Sequence, residues 1–461
     1  MISFTPNLKS DSKERLYKQL YLYLIDEISG GRLKEGERLP SKKALASHLH
    51  ISVNTVETAY LMLVQEGYVF SKPRSGYYVC KIDAGFVRPK KIAIIENDEP
   101  MMDTYKFDFK TNAVDIESFP YSTWVKLSKE VMYGNPELLS AGESKGDSSL
   151  RYNIAKHLHE LRGVNCSPSQ IVVGAGIEYL IMLLTELLGK DNVYAIENPG
   201  YRKIDMVLKN SSSAVRYVPL DKDGMIIDSL RQTDANIAYI TPSHQFPTGA
   251  IMPVWRRLEL LSWANEAKRR YIIEDDYNSE FHFSGKPIPS VQGFDTNGRV
   301  IYLGTFSRIL APSIRIAYMV LPEELLKEYE NRFAGYSSSV PRFEQQTLSE
   351  FISGGYLGRH INRVKNIYRK RRDALLKELT ERPERMRISG QRAGLHLLVT
   401  PESFAKNELI KKAECNKVRV YQLSQYCFTE QPHLDNTIIL GYAGIKTEQT
   451  AEAVRLLFED K

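Results

Sequence analysis

Beyond residue 106, short apolar runs alternate with stretches long enough for helices, and this alternation constrains the fold most strongly. The runs span residues 171–173, 193–196, 237–240, 271–273 and 300–303. Strands that alternate with helices predict a mostly parallel sheet with helices on both faces. Ligands of such folds lie beyond the carboxyl ends of the strands. We therefore expect a site where these runs end.

The first eighty residues follow a different pattern. Leucines and isoleucine at a spacing of four predict a helix over residues 16–28, and glycines end it. Ser41 and Ser52 are favourable N-caps for a second and a third helix. Residues 68–79 then predict two strands around a turn. The order helix, helix, turn, helix, hairpin is that of a winged helix-turn-helix.

The third helix of this pattern is suited to DNA. A recognition helix enters the major groove by its N-terminal residues, which here are Ser52, Asn54 and Thr55. Short polar side chains reach phosphates and base edges. Four cations surround them and would neutralise phosphates, namely Lys42, Lys43, Lys72 and Arg74. The order of elements alone leaves open a small helical domain with no role in DNA binding.

Two segments, P-S-K-K-A-L-A and I-S-V-N-T-V-E-T-A-Y-L-M-L-V-Q-E-G-Y, resemble the winged helix of the GntR superfamily over about residues 14–80. The resemblance implies a double-stranded DNA operator as partner, with contact positions at Ser41, Lys43, Ser52, Asn54, Thr55 and Gly76. Lys43 stands where the family motif has Arg, and Val53 stands where an Arg often follows the serine. Because Lys is a less geometric phosphate ligand than Arg, operator sequence and affinity are affected.

Residues 81–105 lack sustained periodicity and combine R-P-K-K with the acidic E-N-D-E-P. We interpret them as an exposed linker between a DNA-binding domain (1–80) and a body (106–461). A docking segment is the alternative interpretation.

Three motifs of the body follow predicted strands. In G-A-G-I-E-Y (174–179), small residues at a helix N-terminus let backbone N–H groups approach an anion. In E-D-D-Y (274–277), a carboxylate suits a protonated ring nitrogen, and the tyrosine suits a phenolate oxygen. In T-F-S-R (305–308) and at Arg315, hydroxyls and a guanidinium suit a phosphate. Alternatively, these are an ordinary turn, solvated charges at Glu274 and Asp276, and strand-end caps.

In this order, with E-N-P-G-Y (197–201) and T-P-S-H-Q-F-P-T-G (241–249), the motifs resemble fold-type I aminotransferases that depend on pyridoxal phosphate. Together with the winged helix, the H-Q-F-P-T-G form is similar to MocR/GabR-type transcription regulators. The resemblance implies an α/β fold: an N-terminal winged helix-turn-helix followed by an aminotransferase-like domain with a mostly parallel sheet. It also implies a homodimer, to which Tyr121 or Tyr133 contributes at the partner's site.

The same resemblance implies roles for individual residues. Asp275 would pair with the pyridine nitrogen of pyridoxal phosphate and Tyr277 with the ring hydroxyl, while Tyr201 would lie against the ring or the ligand. The phosphate would be held by Thr305, Ser307, Arg315 and the backbone at Gly174, Ala175 and Gly176. Arg419 would bind the carboxylate of an amino-acid effector, with Arg392 in a nearby loop-like stretch as the alternative.

One position departs from the aminotransferase pattern in a way that changes the chemistry. The family has T-F-S-K, whose Lys forms a Schiff base with the cofactor, and this chain has Arg308. A guanidinium is not a usable nucleophile at neutral pH. We therefore expect no catalytic residue, negligible transamination, and pyridoxal phosphate bound noncovalently or as a preformed adduct with an amine. Arg308 would contact the ligand, and Lys286 is outside any motif that would replace the missing amine.

Bulk properties fit this interpretation. Hydrophobic residues make up 43% and charged residues 26%, and the net charge of +6 permits but does not demand a nucleic-acid partner. The four cysteines form no C-x-x-C pair, so no metal site is expected. No signal segment or membrane-length apolar run is visible, which predicts a cytoplasmic protein without a membrane partner.

Three functions follow as hypotheses. The first is a regulator that senses pyridoxal phosphate or an amino-acid-like effector. The second is a DNA-binding protein whose body is only a structural dimeriser. The third, an active aminotransferase, is disfavoured by Arg308.

Overall fold

The computed structural model describes residues 6, 8–9, 14–81, 105–283, 288–405 and 407–459. The chain divides into two compact units, Met1–Met102 and Asp103–Lys461, and the division falls inside the predicted linker. Most of that linker, residues 82–104, lies outside the described residues, as does Lys286.

Within residues 14–81, the described stretch of the first unit, the structure has the predicted three helices and hairpin. Its elements are α1 (Leu16–Ser29), α2 (Lys42–Leu49), α3 (Val53–Gln65), β1 (Val69–Lys72) and β2 (Gly76–Val79). The strands pair antiparallel, with Val69 opposite Val79. Leu24 of α1 and Val56 of α3 are fully buried in one core, which holds the helices together.

Serine caps begin the two helices of the helix-turn-helix. The Ser41 hydroxyl accepts a hydrogen bond from the Ala44 N–H, and the Ser52 hydroxyl accepts one from the Thr55 N–H. These bonds satisfy backbone donors that have no partner within the helix.

The second unit alternates strands and helices. Its strands are β3 (Phe107–Asp108), β4 (Ile171–Gly174), β5 (Val193–Asn198), β6 (Ala214–Asp221), β7 (Gly224–Met225), β8 (Ile237–Ile240), β9 (Tyr271–Asp275), β10 (Val300–Thr305), β11 (Ala317–Val320), β12 (Met386–Ser389), β13 (His396–Pro401), β14 (Val418–Arg419), β15 (Tyr421–Gln422) and β16 (Ile438–Gly441). Its helices are α4 (Tyr121–Gly134), α5 (Ser148–Arg162), α6 (Ile177–Leu188), α7 (Arg202–Asn210), α8 (Ile227–Arg231), α9 (Val254–Asn265), α10 (Glu323–Phe333), α11 (Arg342–Ser353), α12 (Tyr356–Thr380), α13 (Glu408–Cys415) and α14 (Thr450–Phe458).

Eight strands form one sheet in the order β4-β11-β10-β9-β8-β5-β6-β7. The strands from β10 to β6 run parallel, whereas β11 is antiparallel to both of its neighbours. Side chains of β10 alternate between faces: Ile301 and Leu303 pack in one core cluster and Tyr302 in another. Both faces are therefore covered, which confirms the predicted mostly parallel sheet.

A second, antiparallel sheet in the order β12-β13-β16-β15 belongs to the C-terminal part of this unit. Val399 and Leu440 pack against Leu375 of α12, Leu409 of α13 and Leu457 of α14 in one buried cluster. No helix within the described residues is both long and apolar enough to cross a bilayer.

The cap of α3 gives a test of the first unit. Replacing Ser52 by Ala should cost about 1 kcal/mol of local stability, because an N–H at the helix start loses its partner. Amides in the first turn of α3 should then exchange with deuterium roughly fivefold faster in the full-length protein. Ser71→Ala, on an exposed position of β1, is the control. Equal exchange in both variants would contradict the capping role.

Candidate cofactor and ligand site

A cavity of about 370 Å³ lies at the carboxyl ends of the parallel strands. Asp275 is the last residue of β9 and Thr305 the last of β10, while Gly176 precedes α6. Eight of the predicted site residues line the cavity, namely Gly176, Tyr201, Asp275, Tyr277, Thr305, Ser307, Arg308 and Arg315. The structure thus brings together groups that lie far apart in sequence.

Asp275 is a buried acid, and one of its two carboxylate oxygens has no hydrogen-bond partner among the described residues. Its side chain is 4% exposed, and its Oδ2 accepts a hydrogen bond from the Tyr239 hydroxyl. Its Oδ1 has no hydrogen-bond partner among the described residues. Burial raises the pKa of Asp275 to about 6. Such a carboxylate fits a cationic N–H donor supplied by a ligand.

Tyr277 presents a buried hydroxyl to the same cavity. No described residue accepts or donates a hydrogen bond at this hydroxyl. Burial holds the pKa of Tyr277 well above its usual value, so the hydroxyl keeps its proton. It is therefore a ready donor to an oxygen on a bound ring.

The groups around Gly176 form an anion cradle at the start of α6. Gly176 has φ +99°, and a Cβ there would lie 2.6 Å from the Arg315 Nη2, so only glycine leaves room for the guanidinium. Thr305 and Ser307 add hydroxyls, and the helix N-terminus adds partial positive charge.

An internal carboxylate already occupies this cradle. The Arg315 Nη2 lies 3.3 Å from the Glu178 Oε2, and the Lys203 Nζ lies 3.2 Å from the Glu178 Oε1. The backbone N–H and these cations lower the pKa of Glu178 against the opposing effect of its burial. The cradle therefore binds a carboxylate before any ligand arrives.

Arg308 reaches the cavity from the segment after β10. Its Nη1 donates to the Thr111 carbonyl at 3.4 Å, and no described residue forms a salt bridge with it. Burial lowers the pKa of Arg308, while nearby tyrosines and Asp275 raise it. The guanidinium is thus partly buried and has no salt-bridge partner among the described residues.

Two of the glycine-motif residues support the site without lining it. A Cβ on Gly174 would lie 2.5 Å from the Leu180 Cδ2, so this glycine allows close packing of α6. The Ala175 carbonyl accepts a hydrogen bond from Arg315, and the Ala175 N–H donates to Ser339. Of the predicted backbone cradle, only Gly176 lines the cavity.

Arg419 and Arg392 are not among the described residues that line the cavity. Arg419 belongs to β14, and its guanidinium lies over the rings of Tyr105 and Tyr421, 5.3 Å and 5.7 Å from their centroids. The geometry does not support the prediction that Arg419 binds an effector carboxylate. The cations that do line the cavity are Lys110, Arg202, Lys203, Arg308 and Arg315.

The acids beside Asp275 correct a second expectation. Glu274 is fully buried and accepts hydrogen bonds from the Val291 and Gln292 N–H groups. Asp276 is 4% exposed, and its Oδ2 lies 2.6 Å from the Arg162 Nε. The alternative that both are solvated loop charges is therefore wrong.

The E-N-P-G-Y and H-Q-F-P-T-G motifs act mainly as a scaffold. The Gln245 amide donates to the Pro199 carbonyl at 3.0 Å, and the Thr241 hydroxyl donates to the Glu197 Oε2 at 2.6 Å. Burial raises the pKa of Glu197 to about 7. These bonds tie together the loops that carry Tyr201 and Phe246 into the cavity.

Several cavity residues were not predicted. Tyr239 of β8 does not line the cavity but supports it, because its hydroxyl donates to the Asp275 Oδ2, and a hydroxyl amid an apolar run was its only sequence signal. Lys110 and Thr111 follow β3, far from the strand-end motifs. Tyr426 also lines the cavity and belongs to no recognisable motif. Only tertiary packing brings the last three to the site.

In the first unit, the predicted DNA contacts fall into two groups. Lys43 and Asn54 are exposed and available to a ligand. Ser41 and Ser52 are engaged as N-caps, and the Thr55 hydroxyl lies 2.8 Å from that of Ser52.

Three further residues of the predicted DNA-binding surface lie in the hairpin and α2. Gly76 has φ +126°, which allows the tight hairpin. Lys42 pairs with Glu57 of α3, so its charge is partly neutralised. The Lys72 Nζ lies over the Tyr78 ring at 4.8 Å from its centroid.

Comparisons with known proteins agree with this architecture. Residues 16–79 match bacterial regulatory proteins of the gntR family, and residues 105–457 match aminotransferase class I and II. The chain is 38% identical to the uncharacterized HTH-type transcriptional regulator YdeL of Bacillus subtilis (strain 168), over 99% of both chains. It is 31% identical to the probable rhizopine catabolism regulatory protein MocR of Rhizobium meliloti, over 98% of this chain and 94% of that one.

A solved structure shares the fold of the body. The multiple substrate aminotransferase from Thermococcus profundus superposes with a TM-score of 0.68 at 29% identity, over 76% of this chain and 90% of that one. The fold and the relatives define an HTH-type transcriptional regulator with an aminotransferase body. The chain belongs to the MocR-type family of these regulators, which confirms the sequence-based resemblance.

The pKa of Asp275 predicts how cofactor binding depends on pH. A cationic ring nitrogen pairs with the ionised carboxylate, and acid removes that form because the pKa is about 6 in the free protein. Between about pH 7.5 and pH 5, affinity for pyridoxal phosphate should fall about tenfold more in the unmodified protein than in Asp275→Asn. Fluorescence titration measures both. Parallel pH profiles would show that Asp275 does not face the ring nitrogen.

Gly176 predicts how tightly the phosphate cradle is built. In Gly176→Ala the added methyl would displace the Arg315 guanidinium and strain a backbone conformation that favours glycine. Affinity for pyridoxal phosphate should fall by about tenfold or more. Gly134→Ala is the control, since a Cβ there meets nothing within 4 Å. Calorimetric titration decides, and unchanged affinity in Gly176→Ala would place the phosphate elsewhere.

Proposed function

We propose that this protein is a DNA-binding regulator whose aminotransferase-like body binds pyridoxal phosphate or an amino-acid-like effector without Schiff-base catalysis. One observation carries the proposal. The cavity keeps groups suited to the ring and to a phosphate, yet Arg308 stands where the family's cofactor-bearing Lys is expected.

The residues present fit the cofactor. Asp275 would hold the ring nitrogen and Tyr277 the ring oxygen, since each offers a buried polar atom without a partner among the described residues. Gly176, Ser307 and Arg315 would hold the phosphate. When bound in enzymes, pyridoxal phosphate supplies an electron sink for reactions of amino acids.

Because Arg308 stands in place of the expected lysine, the site lacks the amine that would use this chemistry. A catalytic amine must lose its proton to attack a carbonyl and must later return a proton to the substrate. Burial lowers the pKa of Arg308, but a guanidinium starts so high that it stays protonated at neutral pH. Its role here is to bind and orient, not to transfer a proton.

The exposed face of α4 supports a homodimer. Its residues Tyr121, Val125, Met132 and Tyr133 are apolar or aromatic and between 47% and 89% exposed. An apolar face of this kind is typical of a self-association surface. A two-fold dimer would present two heads to operator half-sites separated by whole turns of DNA.

Regulation requires the ligand to prefer one arrangement of the body and heads over another. The chain would then report ligand concentration as a change in operator affinity. A body that only dimerises the heads would give operator binding that no ligand alters.

The test has two arms, both on the full-length protein with a duplex selected from a random library. After borohydride treatment with pyridoxal phosphate, mass spectrometry should find no cofactor on residue 308, whereas Arg308→Lys should carry it. Pyridoxal phosphate or amino acids should shift the midpoint of DNA binding by about threefold or more.

Each outcome of these arms separates one hypothesis from the others. Labelling of the unmodified protein at residue 308, or turnover of amino donors, would reject the noncatalytic body. A DNA-binding midpoint that no ligand moves would instead support the structural dimeriser.

A further inference from the structure

Arg308 is a partly buried cation that no described residue neutralises. Its one hydrogen bond is a long contact of 3.4 Å from the Nη1 to the Thr111 carbonyl, and among the described residues no carboxylate lies within salt-bridge distance. Removing a charge from water without a partner costs several kcal/mol. A ligand that brings an anion to this point would recover that energy, because Arg308 lines the cavity.

The position of Arg308 shows which part of a ligand it would meet. Of the residues that line the cavity with Arg308, Tyr277, Tyr201 and Asp275 lie close enough to act on its charge. These are ring-side groups, whereas Gly176 and Arg315 form the phosphate cradle. Arg308 therefore meets the substituent beside the ring oxygen, which in pyridoxal phosphate is the aldehyde carbon.

The shape of the guanidinium selects among possible anions. Arginine offers five N–H donors in a planar fork that matches the two oxygens of a carboxylate. Only one nitrogen, Nη1, donates to a described residue. The remaining donors suit a second anionic group on a ligand whose phosphate is already bound by the cradle.

We propose that the cavity recognises a 5′-phosphorylated pyridoxyl compound that carries a carboxylate at or beyond the aldehyde carbon, and that Arg308 binds this carboxylate. This inference rests on the proposed function, because it uses the same ring and phosphate contacts. Two sources share the chemistry: the ring acid, 4-pyridoxic acid 5′-phosphate, and a conjugate of pyridoxyl phosphate with an amino acid. An amine at the same carbon would instead face a like charge.

The test compares ligands that differ in the charge of the substituent at the aldehyde carbon. Calorimetry on the full-length protein compares the 5′-phosphates of pyridoxamine, pyridoxal and 4-pyridoxic acid, together with N-(5′-phosphopyridoxyl)-L-alanine. At least one carboxylate compound should bind at least about tenfold more tightly than pyridoxamine phosphate, because a charge-assisted pair replaces a like-charge contact.

Variants assign the preference to Arg308. In Arg308→Gln, affinity for the preferred carboxylate compound should fall at least about tenfold, while pyridoxamine phosphate should bind as well or better. Arg308→Lys keeps the charge without the fork and should retain part of the preference. Arg216→Gln is the matched control, because Arg216 pairs with the exposed Asp234 and does not line the cavity.

Each result has one meaning. If the ring acid binds most tightly, the carboxylate sits on the ring carbon, and if the alanine conjugate does, it sits on the longer arm. If all four compounds bind alike and Arg308→Gln changes nothing, the inference is overturned and the proposed function stands. If none of the four binds, the ligand-binding function itself fails.

Discussion

Parallel pairing of β9 with β8 and β10 is the constraint on which the site depends. In this register Leu303 lies beside Asp275 and Ile240 beside Glu274, so three strands end within a few residues of each other. Loops and helices that follow these strands must then begin at the same edge of the sheet. That edge is where the cavity lies, and where residues from distant motifs meet.

Three consecutive acids at the end of β9, Glu274, Asp275 and Asp276, differ in how far their charges are neutralised. Side chains along a strand alternate between faces, so Glu274 and Asp276 differ in direction from Asp275. Asp276 is paired with Arg162, and Glu274 accepts two backbone N–H groups. Breaking such a buried ion pair typically costs about 3–5 kcal/mol, so the pair holds the end of β9 in place. Only Asp275 keeps an oxygen without a partner among the described residues.

Asp275 and Arg308 thus present opposite charges to one cavity, and each is incompletely neutralised. A ligand with a cationic ring nitrogen and an anionic substituent would complement both at once. Each of the two contacts would give an incompletely neutralised group a partner. In the proposed function, electrostatic complementarity would therefore contribute to the selectivity of this site.

Local sequence signals predicted the helices and hairpin of the first unit, five strands of the main sheet and part of the site. Ser41 and Ser52 were recognisable as N-caps, and Gly176 as a small residue before a helix, because both features depend on the residue itself and its immediate neighbours. Strand-end motifs were recognisable because parallel sheets bring such ends together. Arg419 was expected to face the ligand but does not line the cavity. Its side-chain direction depends on the pairing of β14 with β3, which no local pattern encodes. The burial of Glu274 and Asp276 depended likewise on partners far away in sequence.

Glu178 has a consequence for the lifetime of any complex. It already lies against Arg315 and Lys203, so in the proposed function an incoming phosphate would exchange one anion for another. The net electrostatic gain is a difference between two similar interactions and is correspondingly small. The displaced carboxylate also stays tethered nearby at high effective concentration, ready to return. In the proposed function, a bound ligand would then be released readily when its concentration falls.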